Sequence, residues 1–306
     1  MKNKFINIFL ILIFNLAFLA YTTAEEFNFN VTELQVSENG NIMKGINGGV
    51  VTTKNNEIII TADNFKYNKL TTLLEANGNV TLEDKIKDVT IQSNEIIYLM
   101  NEEKISTKGI TNINIENEYN IDGYDFTLLR NDMILSSKKK AVITDDDSNI
   151  YELGQFQYSI DEEILKGQKI KITTKKDSVK SDQHFFQKGF FNLKENKFLG
   201  KDINVIFHKN LFDNEENDPR VSGVSAYGDE LNTYVDKAVF TSCKKTDKCP
   251  PWKMKAAKVQ HDKIKKQMIY KNAWLNIFDF PVFYFPKFFH PDPSVKRQSG
   301  LIKPEI

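Results

Sequence analysis

Between Thr111 and Ile121 the odd positions carry Ile113, Ile115, Tyr119 and Ile121, with Thr111 and Asn117 as exceptions. The even positions carry Asn112, Asn114, Glu116, Glu118 and Asn120, all polar. A period of two sends one set of side chains inward and the other to water, so this stretch predicts β-strand. Lys169-Ile170-Lys171-Ile172 alternates in the same way, as does Asp202-Ile203-Asn204-Val205, continuing to Phe207. Before residue 250 no stretch has the 3.6-residue period of a helix of three turns. Met254 to Tyr270 fits either a basic helix or two short strands.

The strands recur. Asp63-Asn64-Phe65-Lys66-Tyr67, Asn94-Glu95-Ile96-Ile97-Tyr98, Asp125-Phe126-Thr127-Leu128-Leu129 and Gln155-Phe156-Gln157-Tyr158 begin 31, 31 and 30 residues apart. Gly78 and Gly109 form a second anchor with the same spacing of 31, Lys140 stands where a third glycine is due, and Gly167 and Gly200 echo it. Each unit is expected to be strand, turn, strand. Asn-Gly at 39–40, 47–48 and 77–78 is expected to supply tight turns. A unit of about 30 residues cannot bury its apolar face alone, so the units must stack. The expected fold is all-β, an elongated jellyroll or rolled sheet with an apolar interior.

Composition adds direction. Lys2 and Lys4 precede an apolar run from Phe5 to Ala20, and Thr22-Thr23-Ala24 precede Glu25-Glu26. That order predicts a secretory signal peptide over 1–24. The run is shorter than the roughly 20 residues a spanning helix needs. The chain holds 41 basic and 41 acidic residues, but unevenly. Residues 237–306 carry 15 basic against 5 acidic, net +10, and residues 25–236 carry 24 against 36, net −12. This asymmetry predicts two units, 25–236 and 237–306. With no overall positive excess, no nucleic-acid partner is expected.

No catalytic constellation emerges. His184, His208, His261 and His290 fit no metal-ligand spacing, and Cys243-(x5)-Cys249 with His261 lacks a fourth ligand. No nucleophile elbow, phosphate-binding loop or dinucleotide fingerprint is present. Asp145-Asp146-Asp147 and Glu162-Glu163 fall in turn-like polar clusters. No enzyme activity, cofactor or metal is expected. In an exported chain Cys243 and Cys249 are disulfide candidates, with each other or with distant cysteines.

The last sixty residues change character. From Trp274 to His290 eight of 17 residues are aromatic, interrupted by Pro281 and Pro286. This density suits a buried strand pair or an aromatic girdle at a membrane interface. The stretch Cys243…Cys249-Pro250-Pro251-Trp252, then Ala256, Asp262 and Tyr270-Lys271-Asn272-Ala273, resembles the LptD family of LPS-assembly proteins. So does the continuation Phe280-Pro281-Val282-Phe283-Tyr284-Phe285-Pro286, His290-Pro291 and Arg297-Gln298-Ser299-Gly300-Leu301-Ile302-Lys303-Pro304. Upstream, the Gly-Asn-Val and Asp-Asn-Phe-Lys-Tyr repeats resemble the OstA-like domain of lipopolysaccharide transport proteins.

The resemblance implies a periplasmic jellyroll that receives lipopolysaccharide from a bridge of similar, LptA-like jellyrolls, docked by edge-strand addition. It implies a following outer-membrane barrel plugged by an LptE-like lipoprotein. Trp252, Pro281, Tyr284, Pro286, Arg297, Ser299, Gly300 and Pro304 would form the junction with that barrel, whose strands are absent from these 306 residues. A long-range disulfide partner would then lie outside the chain.

The expected function is lipid conduction at the outer membrane, with Ile113, Ile115, Ile121, Ile170, Ile172, Ile203, Val205 and Phe207 lining an apolar groove. Two alternatives are a stand-alone periplasmic bridging jellyroll and a β-helix acting on polysaccharide. The 31-residue spacing and the lack of a carboxylate cluster count against the second.

Overall fold

The computed structural model describes residues 27–116, 118–175, 178, 180–212, 216–246, 251–291 and 295. The expected signal peptide lies outside them. The described chain is all-β, with three short 3-10 turns and no α-helix. The strands are β1 (Asn28–Ser37), β2 (Ile42–Thr52), β3 (Ile58–Ala62), β4 (Asn64–Asn68), β5 (Leu73–Asp84), β6 (Val89–Leu99) and β7 (Lys104–Ile115). Then come β8 (Tyr119–Tyr124), β9 (Phe126–Leu129), β10 (Ile134–Ser137), β11 (Ala141–Asp145), β12 (Ile150–Leu153), β13 (Gln155–Ser159) and β14 (Ile164–Thr173). The last seven are β15 (Gln183–Asn192), β16 (Lys197–Ile206), β17 (Arg220–Gly228), β18 (Asn232–Thr241), β19 (Trp252–Asp262), β20 (Gln267–Ile277) and β21 (Phe280–Pro291). Met254 to Tyr270 is thus strand, not helix.

Among the described strands all pairings are antiparallel, and most join chain neighbours. Side-chain carboxylates and amides end many strands by capping the turn. Asp84 Oδ1 accepts the N–H groups of Ile86 and Lys87, both at 3.1 Å, and Asn68 Oδ1 accepts those of Leu70 and Thr71.

Several pairs of short strands are halves of one bent strand. β2 pairs with β4 through residues 42–45 and with β3 through 49–52. β7 pairs with β9 through its first half and with β8 through its second. The sheet therefore folds along a corner into two leaves. From β7 to β14 the pairings divide, β9–β10–β13 on the first leaf and β8–β11–β12 on the second. The two routes rejoin at β14, so eight strands form a closed ring of pairings.

The corner shows why the sequence repeats. On β6 the buried residues Ile91 and Ser93 are followed by Ile96 and Tyr98, a step of three rather than two. The same step separates Ala62 from Phe65 and Leu153 from Phe156. On the neighbours β5 and β7 the step is four, Ala76 to Val80 and Thr107 to Thr111. There Gly78 and Gly109 take φ of +81° and +85°, a region open to glycine. The 31-residue unit is therefore two long bent strands. Its anchors Asp63, Asn94, Asp125 and Gln155 mark or adjoin corners and do not begin units.

This corrects the turn assignment. Asn39-Gly40 does connect β1 to β2, but Asn47-Gly48 and Asn77-Gly78 lie inside β2 and β5. Asn and Gly tolerate the left-handed backbone that a turn and a strand corner both need. The boundary expected at 236/237 falls within β18, and the ladder runs on through β19, β20 and β21.

Candidate functional site

The two leaves enclose one apolar core. Tyr67, Leu74, Tyr98, Ile105 and Leu128 come from the first leaf, and Ile60, Leu82, Ile91, Ile113 and Ile121 from the second. Ile121 and Leu82 are 0% exposed, so this part of the interior is packed shut.

The expected lining residues divide into two groups. Ile113, Ile115 and Ile121 are buried in the second leaf, with Ile113 opposite Ile121 across β7 and β8. Ile170 and Ile203 are buried on either side of Phe186, in a row across β14, β15 and β16. Val205 is buried, and Ile172 is half-buried against the core. Phe207 is half-buried just after β16, its N–H donating to the Pro219 carbonyl at 3.0 Å. All eight are at least half-buried, but not as the wall of an open slot.

One apolar pocket opens between the leaves. Tyr119, Ile143 and Tyr151 line it from the second leaf, and Tyr158, Leu165 and Leu193 from the first leaf and its hairpins. Tyr119 and Tyr158 meet edge to face across the gap, with centroids 6.2 Å apart. Tyr151 donates its hydroxyl to Asp145 at 3.0 Å. Burial raises the pKa of all three phenols, so they stay neutral. The pocket is about the size of one water molecule, and the surface it exposes is apolar.

Charged side chains tie the free ends of the leaves together. Arg130 follows β9 at the end of the first leaf, beside Glu103 at the start of β7. Asp84 and Glu57 lie at the end of the second leaf. The Arg130 guanidinium donates to Asp84 Oδ2 at 2.5 Å, to Glu103 Oε2 at 3.2 Å and to Glu57 Oε2 at 3.3 Å. The Asp84 side chain is 0% exposed and that of Arg130 12%. Burial lowers the Arg130 pKa, but the hydrogen bond and charge of Asp84, then Glu103, outweigh it and raise the net value. Tyr98 donates to Glu103 at 2.9 Å, and burial, then the Glu103 charge, hold its phenol neutral.

The sequence reading missed this cluster because the carboxylates lie 27 to 73 residues from Arg130. One signal was available. Only three of the 41 basic residues are Arg, at 130, 220 and 297. A planar fork of donors is needed where one cation must meet several carboxylates.

The junction residues that are described gather at the last strands. The Trp252 carbonyl accepts from Thr241 Oγ1 at 2.7 Å and from Cys243 Sγ at 3.5 Å. Tyr284 packs on Trp274 with centroids 4.9 Å apart and donates to Asn272 at 2.9 Å. Pro281 and Pro286 lie in β21, which pairs on one side only among the described residues, and proline costs no ladder hydrogen bond on an unpaired side. Phe280 is 76% exposed. Arg297, Ser299, Gly300, Pro304 and Cys249 lie outside the described residues. Among those described, no group of three His, Cys, Asp or Glu side chains is placed to hold a metal, and no helix is long and apolar enough to cross a membrane. No protein-family model matches the chain, and no curated protein matches it.

Proposed function

We propose that the bent ladder is a periplasmic β-jellyroll that carries lipopolysaccharide by its acyl chains toward an outer-membrane barrel. The observation that carries this reading is the apolar face trapped between two leaves that are hydrogen-bonded at the corner and, among the described residues, joined by side chains alone at the mouth. Inward residues continue from Phe27 through Tyr270 and Ala273, so the path runs along the ladder. Burying an acyl chain of about 12 methylenes would yield roughly 10 kcal/mol at ~0.8 kcal/mol per CH₂. An affinity of that size makes escape slow. No nucleotide-binding motif is present, so movement along the path would be driven by a partner.

The two terminal edges support the same reading. Among the described residues β1 pairs with β2 alone, and its other side is a template for strand addition by an LptA-like jellyroll. Among the described residues β21 pairs with β20 alone, and its exposed aromatic residues would face the barrel and its LptE-like plug.

Photo-crosslinking tests the proposal. A benzophenone amino acid at Tyr158, which lines the pocket, is expected to label lipopolysaccharide in intact cells. The same residue at the neighbouring exposed Gln157 is not. Equal labelling at both positions, or none at Tyr158, overturns the lipid reading.

A further inference from the structure

The interior described above is closed where Ile113 and Ile121 lie, although a carried lipid must reach it from the side. The corner cannot open, because β2, β5, β6 and β7 run through it. The mouth is different: no backbone hydrogen bond of the sheet links Arg130 on one leaf end to Asp84 on the other. We propose that Arg130, with Asp84 and Glu57 opposite and Glu103 beside it, is a clasp that holds the two leaves shut, and that its release parts them.

The chemistry favours a latch over a fixed support. Glu103 is on Arg130's own leaf end, and the Arg130 N–H donates to the Glu103 carbonyl at 2.8 Å. When the leaves part, the guanidinium keeps this partner and gives up Asp84 and Glu57. Asp84 keeps the N–H groups of Ile86 and Lys87 on Oδ1. Both halves therefore retain polar partners in the open state, which lowers the cost of opening below that of stranding a buried charge. Met100 and Met133, in the first-leaf hairpins beside Arg130, are buried under the closed mouth. Their flexible thioethers can repack as the gap changes width.

This inference rests on the proposed lipid reading only for its purpose, and its test needs no lipid. Leu70 and Ile86, 75% and 64% exposed, sit on hairpins at the two leaf ends. Spin labels at Leu70→Cys and Ile86→Cys, in a Cys243→Ser/Cys249→Ser background, report the width of the mouth by pulsed electron resonance. The unaltered clasp is expected to give one short distance. Arg130→Gln, and separately Glu57→Gln with Asp84→Asn, are expected to add a longer-distance population while circular dichroism stays β. Arg130→Lys should restore part of the short population. Unchanged distances in both folded variants overturn the clasp. Loss of fold in both also overturns it, since the cluster would then be a support and not a latch. Loss of Tyr158 labelling in cells with the distance change intact would sink the lipid reading and leave the clasp standing.

Discussion

Gly200 on β16 lies so close to Phe186 on β15 that a Cβ on the glycine would sit 2.3 Å from Phe186 Cδ1. The ring uses the space of the missing side chain. It also meets Phe191 edge to face at 5.4 Å. The corner row Gly167, Gly189, Gly200 and Ala226 runs across four strands, and small residues there let the leaves fold sharply over large neighbours. Gly200→Ala is therefore expected to destabilise the fold by about 1–3 kcal/mol through overpacking. Combining it with Phe186→Leu should cost less than the sum of the two single changes. Urea unfolding of the four proteins checks this, and strict additivity would refute the proposed contact.

A second prediction concerns the corner between β8 and β9. There the Phe126 N–H donates to Thr107 Oγ1 at 3.0 Å, and Thr111 donates to the same oxygen at 2.9 Å. Both threonines and Phe126 are buried. Thr107→Val keeps the shape and removes the acceptor, leaving a buried backbone N–H unpaired. The expected cost is about 1–3 kcal/mol. Thr107→Ser should recover most of it in the same thermal denaturation assay.

The two kinds of ion pair should respond differently to salt. Asp84→Asn removes a fully buried charge from Arg130 and is expected to cost about 3 kcal/mol, little changed by added salt. Lys66→Ala breaks an exposed pair with Glu75 at 3.3 Å and is expected to cost under ~1 kcal/mol. Denaturation midpoints in low and high salt separate these outcomes.

His184 supplies a pH dependence. It lies between Ile172 and Val205 in the ladder, and burial lowers its pKa below the ordinary 6.5, partly opposed by the Asp182 charge. Below pH 6.5 the unfolded chain binds a proton that the folded chain resists, so stability falls as pH drops through that value. Above it the imidazole is neutral in both states and contributes no slope. His184→Val should flatten the part of the stability profile between pH 7.5 and 5.5 that this group causes. A profile identical to that of the unaltered protein would contradict the assignment.

The strands were legible because alternation is a direct imprint of a sheet with one wet face. The inward placement of Ile113, Ile115 and Ile121 follows from it. The corners were harder to read. A left-handed Asn-Gly pair serves a hairpin at 39–40 and a bend inside a strand at 47–48, and only the pairing partner tells them apart. The charge balance changes near residue 237, while the hydrogen-bonded ladder runs on from β18 to β19. The cluster around Arg130 was hard to read for a different reason. It forms only when hairpins 46 residues apart are brought face to face by the corner.

The ladder has a consequence for how this chain acquires its structure. Most strands pair with those just before and after them in sequence, so each new hairpin finds its template already formed. The loop-closure entropy at each step stays small, as in repeat proteins that grow by nearest-neighbour addition. Such a chain can assemble progressively, each strand templating the next. β21 would then add only after its described partner β20 is in place.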